Sequence, residues 1–124
     1  MTLSVAQIDR ETEALVDEWL TLPQVAKSLD LSIGRTKQLL KERKLLGMRR
    51  GPGGPQVPAL FLHEGEVVKG LAGTLTLLMD AGYDDNEALR WLFTPDDSLP
   101  GSPAQAFKEG RHTEVRRRAQ ALAF

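Results

Sequence analysis

Seven basic side chains crowd into residues 32–54: Arg35, Lys37, Lys41, Arg43, Lys44, Arg49 and Arg50, with Glu42 as the lone acid among them. That block carries a net +6, although the whole chain carries −1. The flanking segments are acidic, −4 over residues 1–31 and −3 over residues 55–124. Binding of phosphate depends on local positive potential rather than on the chain's net value. Two residue types in the block can also recognise bases. The Gln38 amide can pair with adenine, and the Arg35 guanidinium with guanine, each through two hydrogen bonds. Ser32, with the helix N-terminus it caps, suits a phosphate. Gly34 would let a helix approach its target closely. A basic stripe alone is usually an ordinary solvated surface, so its meaning rests on the elements that carry it.

Other chemistries find little support. The chain lacks cysteine, which removes disulfides and thiolate metal sites, and its histidines are His63 and His112. Both are isolated and read as structural, so no metal and no cofactor is expected. Asp84 reads as a helix cap and Asp96-Asp97 as a turn, not as an acidic site. No phosphate-binding glycine loop, nucleophile elbow or HExxH pattern occurs, so the chain does not read as an enzyme and no small-molecule substrate is evident. No basic and apolar leader opens the sequence, and no apolar run is long enough to span a bilayer. The expected location is the cytoplasm, with no membrane partner.

The pattern of apolar residues supplies the scaffold. Residues 1–18 are polar and acidic and read as a partly flexible tail. Thr21 caps a helix with Pro23 in its first turn, and Leu22, Val25, Ala26 and Leu29 form its inner stripe. After the turn at Asp30-Leu31, Ser32 caps a second helix over 33–43. Ile33, Thr36, Leu39 and Leu40 face inward on it, and Gly34, Gln38 and Lys41 face outward. This tight helix pair is a helix-turn-helix over about 22–43. Two extended runs follow, joined by Gly51-Pro52-Gly53-Gly54-Pro55, and read as a hairpin over about 46–62. A hairpin in that place is a wing, with residues 49–55 set to touch backbone.

The remainder reads as three or four helices. Val67, Val68, Leu71, Leu75, Leu78 and Met79 suit a buried helix that Gly82 ends. Asp84 and Glu87 form a capping box, and Thr94-Pro95 stops that helix. Ser102-Pro103 begins another, closed by Gly110, and Thr113 caps the last. Trp19, Trp91, Phe61, Phe93 and Phe124 are core candidates, and Arg116, Arg117 and Arg118 spread too widely on a helix to form one face. The fold class is therefore mainly α with a small β-hairpin: a winged helix-turn-helix over 19–64, then a helical C-terminal domain over 65–124.

The run Trp19–Ala26, the Ser32–Leu40 helix, Arg49-Arg50-Gly51 and Val57–Leu62 resemble an actinobacterial family of winged-helix DNA-binding proteins. The family's C-terminal pattern is met by Val68–Leu75, Asp80–Tyr83, Ala88–Phe93 and Arg116–Phe124. The resemblance implies a DNA-binding or regulatory protein with a family-specific helical C-terminal domain. The first half also resembles MerR and excisionase winged domains, without the long dimerisation helix of MerR regulators. Double-stranded DNA is then the expected partner, contacted by Ser32, Gly34, Arg35, Lys37, Gln38, Lys41, Arg43, Lys44, Arg49 and Arg50. A loose likeness of Trp91–Pro103 to Xre-type antitoxins supplies the alternative, a protein-interaction module acting through the C-terminal helices.

Overall fold

A computed structural model describes residues 5–99 and 101–122. Among the described residues, seven helices and four short strands follow one another: α1 (Arg10–Leu15), β1 (Trp19–Thr21), α2 (Leu22–Leu29), α3 (Ile33–Lys41), β2 (Gln56–Pro58), β3 (Leu62–His63), β4 (Glu66–Val67), α4 (Leu71–Asp80), α5 (Asp85–Phe93), α6 (Pro103–Lys108) and α7 (His112–Ala121). A 3-10 turn, Ala59–Phe61, joins β2 to β3.

The helix-turn-helix forms as its capping residues direct. Thr21 and Gln24 make a complete capping box at the start of α2, with Pro23 in the first turn. Such caps contribute about 1 kcal/mol each. Asp30 takes the left-handed conformation (φ 56°), and the Leu31 N–H donates back to the Ala26 carbonyl. The chain reverses there and delivers Ser32, whose hydroxyl accepts from the Arg35 N–H and caps α3. This helix ends at Lys41, two residues short of the expected boundary. Arg43 adopts φ 60° and the Lys44 N–H returns to the Leu39 carbonyl, the reverse turn that commonly closes helices.

The wing is narrower than the expected 46–62 hairpin. Met48 pairs with Gln56 through two backbone hydrogen bonds of 2.9 Å, and the strand leaving the loop stops at Pro58. Proline has no N–H to extend the ladder, and the chain turns there into the 3-10 segment. Two partners absent from the sequence reading flank this hairpin. β1 pairs antiparallel with β2, placing Trp19 opposite Pro58 and Thr21 opposite Gln56. On the other side Arg49 bridges in parallel to Gln7. Leu62-His63 and Glu66-Val67 form a second, very small hairpin around Gly65.

Residues 5–18, expected to belong to a partly flexible tail, are integrated with the rest. Ile8, Thr12 and Val16 are buried. Asn86 of α5 accepts from the Asp9 N–H (2.8 Å) and donates to the Gln7 carbonyl (3.0 Å). Arg90 reaches the Asp9 carboxylate at 2.8 Å. Hydrogen bonds from Thr12, and then the Arg90 guanidinium, hold the Asp9 carboxyl below its ordinary pKa of 3.8. Part of the polarity in this segment, at Gln7, Asp9 and Thr12, therefore serves partners on α5, while Arg10, Glu11, Asp17 and Glu18 are exposed.

One hydrophobic core runs through both halves. It takes Val25, Leu40, Leu45, Met48 and Val57 from the winged part and Leu71, Leu78, Leu89, Leu92, Phe107 and Val115 from the helices. Phe61 and Phe93 meet across the two parts with ring centroids 5.5 Å apart. Trp19 and Trp91 are half-buried against this core, and Phe124 lies outside the described residues. Val67 belongs to β4 rather than to the following helix, because Gly70 (φ 93°) turns the chain before α4 begins. Arg111, not Thr113, occupies the cap position of α7.

Gly70 supports a sharp test. A Cβ there would stand 2.6 Å from the His112 Cβ, at a φ that L-residues rarely adopt. Gly73, inside α4, has nothing within 4 Å of an added Cβ. Gly70→Ala should therefore destabilise by about 1–3 kcal/mol. Gly73→Ala should stabilise by about 0.5–1 kcal/mol. Thermal melts of the two variants check both signs.

Candidate nucleic-acid interface

The outer face of α3 is open. Ser32, Gly34, Arg35, Lys37, Gln38 and Lys41 are all exposed, while Thr36 and Leu40 are buried beneath them. The Thr36 hydroxyl donates to the Ser32 carbonyl at 2.9 Å, which satisfies a buried polar group within the helix itself. Gly34 has no packing reason to be glycine. The nearest atom to a Cβ built there is the Ser32 hydroxyl oxygen, 3.9 Å away. A glycine in an exposed helix costs up to about 1 kcal/mol relative to alanine. No contact among the described residues offsets that cost, as is also the case for Gly73 in α4.

Several of the expected contact residues are already engaged. The Gln38 amide donates to the Glu42 carboxylate at 2.9 Å. That bond, together with nearby Lys44, holds the Glu42 carboxyl below its ordinary value. Lys44 itself lies 3.5 Å from Glu42. Arg43 points away from the α3 face to form a 2.6 Å ion pair with Asp85 at the start of α5. Its position follows from the left-handed turn at the end of α3, and it ties the helix-turn-helix to the C-terminal helices.

The two wing arginines separate in the same way. Arg50 donates to Glu13 at 2.9 Å and to the Gln56 side chain at 2.8 Å, and its guanidinium sits 4.8 Å from the centroid of the Trp19 ring. It braces the base of the wing against α1 and β1. Arg49 uses its backbone to bond residues 6 and 8 on the neighbouring segment. Its side chain is exposed and makes no ion pair among the described residues. The Gly51–Gly54 loop is exposed throughout, with Gly51 and Gly53 at positive φ.

A groove of about 650 Å³ lies between the wing and the helix-turn-helix. Thr21 and Pro23 at the start of α2, Ile33 and Lys37 of α3, and the Pro52–Gln56 segment line it. Ile33 was expected on the inner face of α3, yet it is 40% exposed. At the first turn of the helix the core has ended, and the side chain meets the groove instead. The loop was expected as part of a wing, and the β1–β2 pairing sets its place beside α3. Among the described residues no cluster of ligating side chains could hold a metal ion. No helix among them is long and apolar enough to cross a membrane.

Comparison with known proteins matches both halves of the chain. Residues 7–62 match the family model described as DNA-binding protein Rv2175c, wHTH domain, and residues 68–123 match that of the Rv2175c C-terminal domain of unknown function. The DNA-binding protein Rv2175c of Mycobacterium tuberculosis is 43% identical, over 83% of this chain and 79% of that protein. The NMR structure of Rv2175c superposes with a TM-score of 0.80 at 35% identity, covering 100% of this chain and 91% of that one. With both its winged half and its C-terminal helices matched in order, the chain belongs to the Rv2175c family of winged helix-turn-helix proteins.

Proposed function

We propose that this protein binds double-stranded DNA, with α3 in the major groove and the wing on the adjacent backbone, and acts as a transcriptional regulator or nucleoid-type protein. The observation that carries the reading is the outer face of α3. A cationic, side-chain-capped helix presents Gly34, Gln38 and Lys41 to solvent, flanked by Arg35 and Lys37, and stands beside an exposed glycine-rich loop. Membership of a family whose relative is named a DNA-binding protein supports the same partner.

The contact residues divide by role. Arg35 and Gln38 are the base readers, since both offer paired hydrogen-bonding groups. Gln38 exchanges its bond with Glu42 for one with a base. Ser32, Lys37, Lys41 and Arg49 hold phosphates, which carry no sequence information but set register. Arg43, Lys44 and Arg50 position the helix and the wing through their bonds to Asp85, Glu42 and Glu13.

Two sets of variants test this division. Arg35→Ala and Gln38→Ala should each cost about 1–3 kcal/mol and relax preference at particular base pairs. Lys37→Ala and Arg49→Ala should weaken binding to every duplex and reduce the salt slope by about one unit each. Titrations of cognate and scrambled duplexes at several salt concentrations separate the two classes. Parental binding in all four variants would make the basic block a solvated surface and leave the antitoxin-like alternative standing.

Gly34 gives a second test. Gly34→Ala should raise stability by up to about 1 kcal/mol, because the site is open and helical. Gly34→Leu should fold equally well and lose DNA affinity, since its side chain would project where α3 approaches the groove floor. Melting curves and binding isotherms on the same preparations check both halves of the expectation.

A further inference from the structure

The face of α3 contains an apolar residue that neither the core nor a salt-bridge scheme explains. Ile33 is the first residue of the helix and 40% exposed, whereas Thr36 and Leu40 on the inner side are buried. The other large hydrophobics left exposed among the described residues, Met79 and Leu122, both lie in the C-terminal half. Part of this side chain's apolar surface is left in water, where burial against a partner would be favourable. Its neighbours across the groove are Pro23, Pro52 and Pro55, with Lys37 one helical turn along and Gln56 beside them. An apolar strip with Lys37 at its edge thus lies beside the exposed face of α3.

Charge complementarity identifies the occupant. Lys37 lines the groove, Arg35 and Lys41 are exposed on the same helix, and the first residues of α2 and α3 line the groove as well. Both features favour a polyanion. The apolar group that a DNA duplex presents in its major groove is the thymine C5-methyl, which protein side chains read by direct apolar contact. We propose that Ile33 is a specificity-determining residue that packs on a thymine methyl, so that the recognised site holds an A·T pair beneath the first turn of α3. This rests on the reading of α3 as the major-groove helix. It adds a readout that hydrogen bonding by Arg35 and Gln38 does not supply. Cytosine lacks the methyl, so a C·G pair in that position would leave Ile33 against a polar base edge.

The test is a double-mutant cycle between protein and DNA. The probe is the duplex that the full chain selects from a random pool, made also with deoxyuridine in place of each thymine in turn. Deoxyuridine removes the methyl and keeps the base-pairing edge. At one position the substitution should weaken wild-type binding about fourfold, the effect of burying one methyl-sized group. Ile33→Ala should weaken binding to the thymine duplex similarly and show no further loss with deoxyuridine at that position. Ile33→Val, which keeps a branched apolar side chain, should retain most of the discrimination and guards against a folding artefact in the alanine variant. Equal losses on deoxyuridine substitution in wild type and Ile33→Ala would overturn the proposal, as would a selected site with no thymine dependence. Failure of the wild-type chain to retain any duplex would instead overturn the DNA-binding reading on which the proposal stands.

Discussion

The antiparallel pairing of Trp19–Thr21 with Gln56–Pro58 is the constraint on which the exposed face depends. Thr21 ends that strand and also caps α2, so one residue fixes both the sheet register and the start of the helix-turn-helix. Gln56, opposite Thr21, also bonds Met48 across the wing. The wing loop therefore leaves the sheet beside the first turn of α2, and α3 follows after a three-residue link. A slip of one residue in this register would turn Val57 out of the core and carry the loop away from Ile33 and Lys37. Nothing in α3 itself could restore that relation.

The basic block is divided between architecture and surface. Arg43 and Arg50 leave the face of α3 and the wing tip to pair with Asp85 and Glu13, on elements distant in sequence. Partly exposed ion pairs of this kind contribute on the order of 1 kcal/mol each. Their value is geometric: one holds the end of α3 to α5, and the other holds the base of the wing to α1. The fold itself rests on the continuous apolar core, with Phe61 against Phe93 where the winged half meets the helices. The C-terminal helices are in this sense the platform from which α3 is presented.

Much of this was written locally in the sequence. Thr21, Ser32, Asp84 and Ser102 each occupy the cap position that their residue type favours, and the 3.6-residue stripes of α2 and α3 mark their buried faces. What was not legible is what distant partners decide. Residues 5–18 look like a polar tail because their partners, Asn86 and Arg90, lie some eighty residues away. Arg43 and Arg50 read as phosphate ligands, and only the tertiary structure shows their ion pairs with Asp85 and Glu13. Ile33 fits the inner stripe by periodicity, and only the tertiary structure reveals that the core ends before the first turn of α3. The outward set of Gly34, Gln38 and Lys41 was legible because helical geometry alone places it.

Backbone amide resonances of the full chain, followed during titration with a short duplex, test the central claim most directly. Shifts concentrated in residues 32–41 and 49–56, with α4 through α7 changing little, are the expected result. Shifts confined to the C-terminal helices, or none at a duplex concentration well above that of the protein, would contradict it.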